Sequence, residues 1–196
     1  FPREPDAGLV GSRLVYPDGK QQESGGIIFN DGSGWNYGRD QDAENPEYHF
    51  LREVDYCSGA AIALKTAYFH ELGAFDERYS PAYYEDTDLA FRVRESGLKV
   101  FVQPASTVIH HEGVTSGTDT SSGTKKYQLV NQEKFLERWK TVLASQPAPV
   151  NNPHDRSQIF LASQHRIKKR ILIIDANTPE PDKDSGSVRM TNLMQC

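Results

Sequence analysis

Cysteine is nearly missing from this sequence. Two are present among 196 residues, Cys57 and Cys196. So few thiols make no disulfide framework and no thiolate metal site, and they fit a reducing compartment. Long apolar runs are missing as well; nothing approaches the roughly 20 residues of a membrane-spanning helix. There is no excess of positive charge. Lys and Arg total 22 against 27 Asp and Glu, a net charge of −5. That removes the basic footprint of a nucleic-acid-binding protein. It does not exclude small anionic ligands, which a helix end or a bound metal can hold locally. No internal repeat is found. What is present is a hydrophobic fraction of 37%, with nine Tyr, nine Phe and two Trp. That fills a core and excludes global disorder. The length suits one sizeable domain, or one and a half small ones. The chain opens on "FPREPD" without methionine and closes on "TNLMQC" in a helix-like run. We therefore expect both ends to continue in a longer protein.

Along the chain, Leu14-Val15-Tyr16 and Ile27-Ile28-Phe29 read as extended runs around a Pro-Asp-Gly turn. The Gly-, Asn- and Asp-rich stretch 30–50 reads as a long surface loop. "REVDYCSGAAIALK" reads as a strand of small residues, which lets a ligand or another backbone approach closely. A short helix follows, with Thr66 as cap and Gly73 as stop. A second helix is expected from Asp86 to Ser96, with Leu89 and Val93 on one face. "LKVFVQP" reads as a strand ending at Pro104, and "STVIHHEG" as a separate apolar run. "YQLVNQEKFLERWK" is an amphipathic helix whose buried side is Leu129, Phe135, Leu136 and Trp139. "ASQPAPVNNP" marks a linker. Beyond it, a polar, partly helical stretch leads to Ile171 to Ile174, which reads as a buried-type strand, followed by an acidic loop and a helix start. One such unit cannot bury its own apolar face, so it should be poorly packed here.

The densest chemistry is "YYEDTDLAFRVRESG", residues 83–97. Glu85, Asp86 and Asp88 stand almost side by side, and like charges at that spacing repel. Helix capping is one reading: Asp86 as cap, Asp88 favouring the dipole and pairing with Arg92. It accounts for Asp88 better than for Glu85. The other reading makes a carboxylate at the helix start a general base on a hydroxyl. His110 and His111 end a strand-like run before Glu112. A neutral imidazole there suits a divalent ion, although one histidine is not a metal site.

The ordered series from "CSGAAIALK" through "GAFDE", "YYEDTDLAFRVRESG", "LKVFVQP" and "STVIHHEG" resembles the C-terminal half of a family-2 glycosyltransferase of the GT-A fold. The resemblance covers residues 8 to about 139. It implies an α/β, Rossmann-like GT-A domain. It implies Asp86 as the catalytic base and Glu85 as its support or as an acceptor contact. His110, with His111 as the lesser alternative, matches the histidine that helps hold a divalent ion (Mn or Mg) under the donor diphosphate. Gly59 and Ala60 match the floor of the acceptor side, and Tyr84 belongs to the aromatic substrate loop. Gln22 and Gly25 match a stretch facing the donor cleft, while Asp76 and Glu77 are structural. The implied reaction is inverting transfer from a nucleoside-diphosphate sugar to a glycan or lipid-linked hydroxyl. The implied setting is cytoplasmic, peripheral to the inner face of a membrane, in cell-wall or polysaccharide synthesis.

The departures matter equally. The family's nucleotide-binding half, with its Asp-x-Asp motif, is absent, so this chain alone should turn over little or nothing. Asp40 and Asp42 fall in the wrong place and read as loop charge. "RILIIDANTPEPDKDSGSVR" resembles the opening of a GT-B-type transferase domain, with an ordinary strand-loop-helix as the plainer reading. The expected divisions are 1–143 for the partial GT-A domain, 144–167 for a linker and 168–196 for the start of a second α/β domain. Two rivals stand beside the transferase. One is a non-catalytic glycan-binding or scaffolding domain that stacks sugar on Trp35, Tyr37, Tyr83 and Tyr84. The other is a metal-dependent hydrolase built on Asp86, Asp88 and His110.

Overall fold

A computed structural model describes residues 4–111, 126–152, 154–171, 173–174 and 177–194. They form two compact units, one ending at Arg166 and one beginning at Ile167. No helix among the described residues is long and apolar enough to cross a membrane.

The first unit is a mixed α/β layer structure. Its sheet is built on β1 (Ala7–Val15) and β7 (Lys99–Ile109), which run parallel. The order is β2 (Gln21–Glu23), β1, β7, β5 (Arg52–Glu53), and β6 (Ile62–Ala63) also pairs with β1. A separate hairpin joins β3 (Gly26–Ile28) to β4 (Gly34–Asn36). The Pro-Asp-Gly turn is a hairpin as expected, with Gly19 at φ 85°. Its return strand, however, is Gln21-Gln22-Glu23 rather than the apolar run. These three polar residues are 0%, 2% and 1% exposed.

Three further expectations change. The small-residue stretch is not one strand: 58–61 is a turn between β5 and β6. The apolar runs around Pro104 are a single strand. Residues 104–106 fall where the register shifts, Ser12 facing Gln103 and Arg13 facing Thr107. Proline has no N–H for the ladder, and the irregularity accommodates it. The stretch 30–50 is also more ordered than a surface loop. Tyr37 and Tyr48 are buried edge to face at 5.5 Å, and Arg52 lies 4.0 Å over the Tyr37 ring.

Helix α1 (Thr66–Glu71) is capped by Lys65 rather than Thr66, and Gly73 ends it at φ 86°. Helix α2 (Glu85–Glu95) follows Tyr84, and α3 (Tyr127–Leu143) packs beside it. Leu89, Ala90 and Val93 of α2 meet Leu9, Val100 and Val102 of the sheet. Phe91 turns instead to Phe135 and Trp139 of α3. Each fully buried side chain of this size contributes about 1.5–3 kcal/mol. Leu129 breaks the expected buried face of α3, being 61% exposed, while Phe135 and Trp139 are buried.

Residues 144–167, expected as a linker, include helix α4 (Arg156–Ser163). Its Ile159 and Ala162 are buried against Ile27, Phe29, Tyr37 and Tyr48. In the second unit the described isoleucines 171, 173 and 174 form no strand, and Ile171 and Ile174 are strongly exposed. Helix α5 (Ser185–Met194) follows, its start held by Asp184 accepting from the Ser187 N–H at 2.8 Å.

Candidate active site

The acidic cluster divides into two kinds of carboxylate. Asp88 is wholly buried and structural. It accepts from Arg92 Nε at 2.8 Å, Trp139 Nε1 at 2.9 Å and Tyr79 Oη at 3.1 Å. Arg138 adds an ion pair at 3.1 Å. Arg92 also donates to the Leu72 and Ala74 carbonyls. The pairing of Asp88 with Arg92 is the one the helix-capping reading expects.

Asp86 is different. It does not cap α2; Tyr84 occupies that position, at φ 74°. The half-buried Asp86 carboxylate reaches across to the 58–61 turn, where Oδ2 accepts the Gly59 N–H at 2.7 Å. Oδ1 accepts from the Thr87 N–H at 2.7 Å and the Thr87 hydroxyl at 3.2 Å. Burial pushes its proton affinity up, and these hydrogen bonds oppose that without cancelling it. Gly59 and Ala60 beside it are exposed. A Cβ at Gly59 would lie 3.3 Å from Asp86 Cβ, tight enough to crowd the carboxylate. The Ala60 N–H is turned to Ser58 Oγ at 3.3 Å. Glu85, also half-buried, has Oε2 buried without a hydrogen-bond partner. Burial raises its pKa first, the Asp86 charge raises it further, and the Glu85 and Tyr83 N–H groups oppose this.

His110 ends β7 beside Val15 and touches Gln22. Its Nδ1 is 3.1 Å from Gln22 Oε1. With that oxygen accepting, Nδ1 carries the proton and the lone pair is on Nε2, the arrangement a metal ligand needs. Among the described residues, though, no group of three His, Cys, Asp or Glu side chains could hold an ion. One imidazole is not in itself a divalent-metal site. His111 is exposed, and Glu112 lies outside the described residues.

Contacts lead from Asp86 to Gly59 and, one residue back, from the Ser58 N–H to Glu23 Oε1 at 2.8 Å. Glu23 adjoins Gln22, which meets His110. Two expected substrate contacts are placed in the packing instead. Tyr84 is buried, its ring against Phe135 and its hydroxyl donating to the Gly32 carbonyl at 2.9 Å. Gly25 has φ 77°, and a Cβ there would strike Val54. Asp76 caps the turn at Arg78 and pairs with Arg138, a structural role. Asp42 Oδ1 accepts the Glu44 N–H in its loop.

Sequence reasoning missed Glu23 and Tyr56. The Tyr56 hydroxyl donates to Asn36 Oδ1 at 2.8 Å. Burial pushes that phenol well up, and the charges of Glu23 and Asp86 add to the shift. The signal for Glu23 lay in "QQESGG" itself, since a strand of three polar residues needs partners if it is inside.

No family model matches the chain. It is 33% identical over 135 residues to N-acetylglucosaminyl-diphospho-decaprenol L-rhamnosyltransferase of Mycobacterium tuberculosis, covering 61% of this chain and 42% of the relative. It is 29% identical over 122 residues to O-antigen biosynthesis protein RfbC of Myxococcus xanthus, covering 60% of this chain and 10% of that one. An uncharacterized protein of Sinorhizobium fredii is 25% identical over 168 residues, or 82% of this chain and 18% of the relative. The chain thus spans less than half the length of the curated relatives it matches. Among solved structures, GalNAc-T7 with UDP, GalNAc and Mn2+ aligns with a TM-score of 0.47 and 14% identity. That match covers 81% of this chain and 33% of the other.

Proposed function

We propose that this chain is the acceptor side of an inverting GT-A glycosyltransferase. It transfers a sugar from a nucleoside-diphosphate donor to a hydroxyl of a glycan or lipid-linked acceptor. The observation that carries the reading is the Asp86 carboxylate. It is tethered to the Gly59 N–H, flanked by exposed small residues, and raised in proton affinity by burial. Burial in that setting makes the carboxylate a stronger acceptor for the proton of a hydroxyl. The name of the mycobacterial relative, a rhamnosyltransferase, supports the same reaction class.

Asp86 accepts the proton of the acceptor hydroxyl. The oxygen attacks the anomeric carbon, the bond from that carbon to the diphosphate oxygen breaks, and the diphosphate leaves with the electron pair. Glu85 contacts the acceptor or supports Asp86, and Gly59 and Ala60 leave room for it. Gln22 fixes the His110 ring. A divalent ion, Mn or Mg, belongs to the proposal only as a cofactor of the complete transferase; His110 would give one nitrogen, and the ion would polarise the leaving diphosphate. The proposal assigns the donor-binding half to the remainder of the complete transferase. Work on a lipid-linked acceptor places the protein in the cytoplasm at the inner face of the membrane. A GT-B-type transferase module after Ile167 completes the proposed organisation.

The glycan-stacking reading fares worse, because Tyr37 and Tyr84 are buried in the core. The hydrolase reading loses Asp88, which is sealed inside and fully bonded. The test is to supply the complete protein with nucleotide sugars, Mn2+ or Mg2+, and glycan or prenyl-diphosphate acceptors, and read the product linkage by NMR. A glycoside of inverted anomeric configuration supports the proposal. Retention, or sugar release without an acceptor, contradicts it.

A further inference from the structure

The turn that precedes the acidic pair is an awkward piece of chain. Tyr83 and Tyr84 both adopt the left-handed conformation, φ 74°, which non-glycine residues avoid. Such a pair persists only where its surroundings hold it. Pro81 gives no N–H, so the turn is short of donors for its own carbonyls. They are met from outside. Asn131 of α3 is fully buried, and its Nδ2 lies 2.7 Å from the Tyr79 carbonyl, 2.9 Å from Ala82 and 3.0 Å from Tyr83. Two hydrogens serve three acceptors, so one is shared. The amide orientation follows from the other side, where Lys134 Nζ donates to Asn131 Oδ1 at 2.9 Å and to the Arg78 carbonyl at 2.7 Å.

The consequence runs directly into the site. Tyr83 presents its carbonyl to Asn131, and its backbone N–H is among the groups that hold down the Glu85 pKa. Tyr84 is the N-cap of α2, and its carbonyl accepts the Asp88 N–H at 2.8 Å. The conformation at 83 and 84 therefore sets the direction of the first turn of α2, which aims Asp86 at Gly59. We propose that Asn131 is a positioning residue for the Glu85–Asp86 pair, acting through the three carbonyls of the 79–83 turn and touching neither carboxylate. The inference rests on the reading of Asp86 as the base, but its geometric core can be tested without it.

The 196-residue chain, labelled with nitrogen-15, gives the decisive readout. The Gly59 and Thr87 amides both donate to Asp86, so their resonances report where that carboxylate points. In Asn131→Ala we expect both to move, Gly59 towards the position of an amide without a carboxylate partner. Ile159→Ala, which opens the α4 contact instead, serves as a control of comparable destabilisation and should leave them in place. If Asn131→Ala does not fold, Asn131→Ser, whose hydroxyl can serve one of the carbonyls, carries the same comparison. Unmoved Gly59 and Thr87 amides in a folded variant would overturn the proposal. So would failure of both variants to fold, since Asn131 would then serve stability alone. In the complete transferase, Asn131→Ala should lower kcat by about 10- to 100-fold with the donor KM unchanged, as misplacement of a reacting group does. Normal turnover with displaced amides would count against the reading of Asp86, and displaced turnover with unmoved amides would count against Asn131.

Discussion

At the scale of single residues, neighbouring carboxylates in one helix turn are set to opposite tasks by what surrounds them. Asp88 is met by two guanidinium groups, an indole and a phenol. Truncating it strands Arg92 and the Trp139 N–H in the interior. We expect Asp88→Ala to cost about 3–5 kcal/mol, the usual penalty for breaking a buried ion pair. A urea titration measures it, and a loss below 1 kcal/mol would assign Asp88 to the surface class. Glu85 has the reverse balance. Burial and the Asp86 charge raise its pKa in the folded chain, so ionising it costs stability. That cost is missing below the unfolded carboxylate pKa and fully present once pH has risen through the folded one. Glu85→Gln should therefore gain stability over the parent as pH goes from 4 to 8. Thermal melts across that range check the sign; a constant or shrinking difference would contradict it. The residues themselves were legible as a cluster. Their division of labour was not, because Trp139 and Tyr79 reach Asp88 from elements far away in sequence.

At the scale of elements, periodicity located α2 within a residue at each end, since its apolar spacing and Gly97 act locally. It failed at β2, whose buried polar side chains meet the Leu14 carbonyl, the Ser58 N–H and His110. It failed again at Leu129, on the first turn of α3, where the packed face begins only at Asn131. The polar stretch after 144–153 reads as partly helical, and α4 forms there, but nothing in its composition shows that α4 packs onto the first unit. The end of that segment is latched as well. The buried Asp55 carboxylate accepts from His165 at 3.1 Å and from Arg166 at 2.6 Å. We expect a chain cut after Leu143 to melt well below one cut after Arg166. It loses the Ile159 cover, worth about 2 kcal/mol, and two partners of a buried carboxylate. Equal melting temperatures would show that α4 contributes nothing to the first unit.

At the scale of the whole molecule, the α/β architecture was legible from the ordered motifs. The route connecting the site was not. It runs from α2 to the 58–61 turn, through Glu23 and Gln22 of β2, to His110 at the end of β7, and it exists only once the parallel β1–β7 pairing has formed. The relatives extend well beyond the matched region. The account stands on Asp86 as the base, and one kinetic comparison addresses it most directly. In the complete transferase, Asp86→Asn should lower single-turnover sugar transfer on the order of 100-fold or more while donor affinity stays the same. Transfer at the parental rate in that variant would contradict the account.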